Sequence, residues 1–78
     1  MNIKNKKIRL MGKSTALTID EYTLLLARQN AVLVNDESFD ILIEGRMMNP
    51  IEDDLFQHFY KEKKEIIPLK TFEIYVCQ

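Results

Sequence analysis

The chain has one cysteine, no tryptophan, two glycines and two prolines among its 78 residues. A single thiol, Cys77, closes no internal disulfide and builds no metal site from thiolates alone. Nothing in cysteine usage points to an oxidising compartment. Cys77 near the chain end suits a small apolar filler. Two glycines also leave little for a phosphate cradle. Gly12-Lys13-Ser14-Thr15 has the ending of a phosphate-binding loop, but the position five residues earlier is Lys7. That position needs glycine so that several backbone amides approach the phosphates closely. The segment therefore reads as a polar turn.

Long hydrophobic runs are missing too. Runs such as residues 31–34 and 41–43 are strand-sized, and none exceeds four residues, far below the ~20 residues of a membrane span. The start is basic, but Ile8, Leu10 and Met11 are interrupted by Arg9, Gly12 and Lys13, which breaks the apolar stretch of a signal peptide. These absences lead to the expectation of a cytoplasmic protein. There is no internal repeat, linker or low-complexity segment.

What is present is ordinary globular composition: 46% hydrophobic, 29% charged, formal net charge −1. Residues 1–78 form one α+β domain, with room for one small core. A near-zero net charge gives no global attraction to nucleic acid or anionic lipid.

Residues 6–11 alternate polar and apolar and predict a short strand. Thr18-Ile-Asp-Glu21 is a capping box, with Leu17 and Tyr22 at the positions of a hydrophobic staple. A helix is predicted from Ile19 to about Gln29. Residues 31–34 and 39–43 are β-rich around the turn-forming Asn35-Asp-Glu-Ser38, which predicts a hairpin over a four-residue loop. Asn49-Pro-Ile-Glu52 combines an N-cap, a first-turn proline and a capping glutamate. It predicts a helix over residues 50–63. Pro68 keeps residues 66–69 extended. Residues 71–77 alternate Phe72, Ile74 and Val76 against Glu73, Tyr75 and Cys77, which predicts a final strand.

The order strand, helix, strand, strand, helix, strand matches the split β-α-β arrangement of ferredoxin-like domains. That resemblance is one of element order. It implies a four-stranded antiparallel sheet with both helices on one face.

Catalytic and metal chemistry find little support. Asp54 and His58 share a helix face, with Glu52 and Asp53 nearby. No second histidine completes a metal set. As a base, His58 lacks a nucleophile, and Ser14, Ser38 and Cys77 lack catalytic context. The expectation is a non-catalytic protein with no cofactor and no metal.

Charge is segregated along the chain. Residues 1–13 carry five basic residues and no acid, whereas residues 14–60 carry nine acids against Arg28 and Arg46. The leading expectation is a small interaction or regulatory protein, an inhibitor or accessory of the size found in phages and mobile elements, that binds a protein partner. Its expected contacts are the acids Asp53 and Asp54, the flexible apolar pair Met47 and Met48, and Leu42 and Tyr75 on an uncovered sheet face. Burying that face against a second copy predicts a homodimer. The alternative is a nucleic-acid-binding regulator that uses Lys4, Lys6, Lys7, Arg9 and Lys13 on a phosphate backbone.

Overall fold

Thr18 and Asn49 each close a capping box. Each side chain accepts from the amide three residues on, and Glu21 and Glu52 return the bond to the cap backbone. The computed structural model describes residues 2–14 and 16–77. Its elements are β1 (Lys7–Met11), α1 (Ile19–Arg28), β2 (Val32–Leu33), β3 (Ile41–Glu44), α2 (Pro50–Lys61), β4 (Glu65–Pro68) and α3 (Leu69–Val76). Both predicted helices start where their caps place them.

The sheet overturns the predicted topology. Its order is β2-β1-β3-β4, and every neighbouring pair is parallel. The expected hairpin does not form: β2 and β3 flank β1 on opposite sides. Residues 34–40 carry the chain from the end of β2 back to the start of β3. Seven residues reach at most roughly 25 Å, ample to return along strands of two to five residues at ~3.3 Å each. In this loop the Ser38 amide and hydroxyl both donate to the Asp36 carboxylate. Ser38 thereby holds the Asp36 carboxyl below its usual range.

The predicted last strand is the helix α3. Leu69, Phe72 and Val76 are its buried residues, and Ile74 is exposed. Spacings of three and four win over the alternation Phe72, Ile74, Val76, because eight residues fit either period.

Helices cover both faces of the sheet, not one. Tyr22 and Leu26 of α1 and Phe72 and Val76 of α3 pack with Ile8, Ile41, Ile43 and Ile67. Phe56 and Phe59 of α2 pack with Leu42, Met11 and Phe39 on the other side. Tyr22 and Phe72 stack with ring centroids 6.1 Å apart. Phe39 meets Phe59 edge-on at 4.9 Å. The chain steps from β1 to β2 past α1, then steps the opposite way past the α2 face. Crossovers of one hand require this when the strand order reverses. β3 is buried on both sides, with Ile41, Leu42 and Ile43 all enclosed, as a doubly covered parallel strand must be.

Candidate functional site: the carboxyl ends of β1 and β3

In an open parallel sheet the crevice outside the strand carboxyl ends, where the strand order reverses, is the general ligand position. Here that position lies between β1 and β3. The only two glycines of the chain stand there, Gly12 after β1 and Gly45 after β3. Gly12 has φ +81°, and a Cβ on it would lie 2.6 Å from the Arg46 carbonyl oxygen. A Cβ on Gly45 would lie 2.3 Å from the Met11 carbonyl oxygen. The backbones approach too closely for any side chain.

Hydrogen bonds then lock the two loops together. The Gly45 amide donates to the Met11 carbonyl at 2.7 Å. Lys13 and Arg46 exchange both backbone bonds, at 2.7 and 2.8 Å. Glu52 ties the start of α2 to the same point, with one carboxylate oxygen accepting from Asn49 and the other from Gly12 at 3.2 Å.

The β1–α1 loop is also tied to α3. The Ser14 hydroxyl donates to Glu73 Oε2 at 2.6 Å, and the Tyr22 hydroxyl donates to the same oxygen at 3.1 Å. Ser14 Oγ also accepts from the Ala16 and Leu17 amides. A hydroxyl oxygen has two acceptor lone pairs, so neither is left to attack a substrate. The Gly12 amide and the Ser14 hydroxyl are therefore held by the protein's own carboxylates. They form no open phosphate cradle, and Thr15 of that motif lies outside the described residues.

Tyr22 gives this network a pH signature. Burial pushes its pKa from the ordinary 10.0 up to about 12, with Glu73's negative charge adding to the shift. A folded pKa above the unfolded one means the contribution is complete below pH 10 and is lost as pH rises from 10 towards 12. We expect a phenolate absorbance titration to show one of the three tyrosines ionising late. We expect Tyr22→Phe to remove that step and flatten the alkaline loss of stability. An unchanged alkaline profile in Tyr22→Phe contradicts the assignment.

The side chains turned outward here are of a different kind. Lys13 and Arg46 are exposed. Met47 is 76% exposed, with φ 57°, and Ile51 in the first turn of α2 is 81% exposed. Ile19 at the start of α1 is 59% exposed. Beside it run two open grooves of about 410 and 470 Å³ that share Leu10 and Ile19.

The residues expected from the sequence scatter. Leu42 is fully buried beneath α2, so the uncovered sheet face that suggested a homodimer does not exist. Tyr75 sits in α3, partly buried against the α1–α3 core. Met48 is partly buried against the α2 core, while its neighbour Met47 reaches solvent. Asp53 and Asp54 are exposed in the first half of α2. His58 pairs with Glu62 at 3.2 Å rather than with Asp54. Among the described residues no group of three or more His, Cys, Asp or Glu side chains converges. Cys77 is exposed.

The basic residues do not share one surface. Lys4, Lys6 and Lys7 lie at the amino end of β1, and Lys13 lies past its carboxyl end, up to roughly 20 Å away along the strand. The Arg9 guanidinium lies over the Phe59 ring, 5.6 Å from its centroid. No helix among the described residues is long and apolar enough to cross a membrane. Sequence reasoning passed over Arg46, Ile51 and Ile19. The signal that could have found them is the placement of both glycines directly after apolar strand patterns.

Protein-family models, curated proteins and solved structures give no match to this chain.

Proposed function

We propose that the protein is a non-catalytic docking module that binds a protein partner at the carboxyl end of its parallel sheet. One observation carries this reading. Two loops, pinned backbone to backbone by Gly12 and Gly45, hold two cations, Lys13 and Arg46, beside the exposed apolar Met47 and Ile51. Pinning lowers the ordering cost of binding. A partner segment with an acidic side chain for Lys13 and Arg46 and an apolar one for Met47 and Ile51 is complementary to it. The spent lone pairs of Ser14 favour binding over nucleophilic chemistry at this site.

The test is a peptide-display selection on the immobilised protein, counter-screened against Arg46→Glu with Ile51→Asp. Both positions are exposed, so the variant keeps its fold, checked by circular dichroism. We expect enriched peptides that combine acidic and apolar residues and lose at least about tenfold in affinity for the variant, roughly 1.4 kcal/mol. A selection that yields no peptide discriminating against the variant defeats the proposal.

A further inference from the structure

The flank along β4 carries a second surface, independent of the β1–β3 platform. β4 is an edge strand. α2 runs beside it and leaves two adjoining grooves. One, of about 380 Å³, has Phe56, Ile66 and Pro68 in its wall and Glu44 at its rim. The other, of about 580 Å³, has three lysines, Lys61, Lys63 and Lys64, among its lining residues. Tyr60 and Ile66 belong to both grooves, and Tyr60 is 65% exposed. The trough joins an apolar end at Phe56 and Pro68, through Tyr60 and Ile66 at its middle, to a cationic end at the three lysines.

Edge strands are guarded against stray pairing by lysine and proline. Here Lys63 and Lys64 stand at the amino end of β4 and Pro68 closes the other. Those guards repel a basic segment and welcome an acidic one. We propose that this trough docks an extended acidic protein segment. Its apolar side chains would lie on Phe56, Tyr60 and Ile66, and its carboxylates would meet Lys61, Lys63 and Lys64. Charge complementarity at the lysine end selects the occupant, and an extended backbone matches the length of an open strand edge. A single-stranded nucleic acid fits less well. Its aromatic platform and cations are present, but it carries a phosphate at every nucleotide and so must set one against Glu44, where a peptide can place an apolar side chain.

The probe is a fluorescein-labelled eight-residue peptide that alternates aspartate with leucine, followed by anisotropy at low salt. A lysine–leucine peptide and labelled oligo(dT) of equal length serve as comparisons. We expect the acidic peptide to bind and, in the Arg46→Glu with Ile51→Asp background where the β1–β3 platform is disabled, to lose at least about tenfold on adding either Lys63→Glu with Lys64→Glu or Tyr60→Ala. Its binding is expected to survive Arg46→Glu with Ile51→Asp, which separates this surface from the β1–β3 platform. All these positions are exposed, and unchanged circular dichroism verifies each fold. Absent binding, binding insensitive to the lysine and tyrosine changes, binding that disappears in Arg46→Glu with Ile51→Asp, or tighter binding of oligo(dT) overturns the proposal.

Discussion

Gly45→Ala is expected to cost about 3 kcal/mol or more, a large part of the ~4–12 kcal/mol available to a chain of this length. The added Cβ would stand 2.3 Å from the Met11 carbonyl oxygen. That oxygen cannot retreat without losing the Gly45 amide it accepts at 2.7 Å. The neighbouring strands are the two central ones, so movement there disturbs both cores. Gly12→Ala meets the Arg46 carbonyl oxygen at 2.6 Å and adds about 1–2 kcal/mol for a left-handed backbone. Chemical denaturation with Gln57→Ala as an exposed comparison measures both. A Gly45→Ala midpoint equal to that of Gln57→Ala would mean that the two loops do not approach as described. Partial survivors are informative as well. A folded Gly12→Ala protein with weakened peptide binding would show that loop pinning, and not only the cations, forms the platform.

Leu42→Asp is expected to abolish folding. Leu42 is fully enclosed by Phe56, Phe59 and Met11. The substitution removes a buried side chain, worth about 2–5 kcal/mol, and places a carboxylate where no partner can reach it, at several kcal/mol more. On an uncovered antiparallel face the same change would leave a folded monomer and remove only self-association. Circular dichroism with size exclusion separates these outcomes. A folded Leu42→Asp monomer would contradict the placement of α2 over the sheet.

The capping signals in the sequence were faithful, while the local alternation over residues 71–77 and every long-range inference about pairing were not. Thr18 with Glu21, and Asn49-Pro50 with Glu52, located both long helices because capping is a contact between residues three apart. Strand direction is set by partners distant in sequence, so the segments around Asn35–Ser38 read as a hairpin although their true neighbour on both sides is β1. One signal did favour a parallel sheet. Ile41-Leu42-Ile43 and Ile66-Ile67 are continuous apolar runs, the pattern of strands covered on both faces. The alternation of Phe39, Ile41 and Ile43 points the other way and assigns Leu42 to an open face that the structure does not have. In residues 69–76 the two periods coincide. Only packing against Tyr22 exposes Ile74 and turns Glu73 towards Ser14. The platform itself was illegible for a related reason: Gly12 and Gly45 become neighbours only when β1 and β3 pair in parallel.

The most direct test of the docking account is a ¹⁵N chemical-shift map of the intact chain, titrated with the tightest peptide from the display selection. The account predicts that the largest shifts fall in residues 12–19 and 45–52, the two pinned loops and the helix starts behind them. Shifts concentrated elsewhere, with those two segments unmoved, would contradict it.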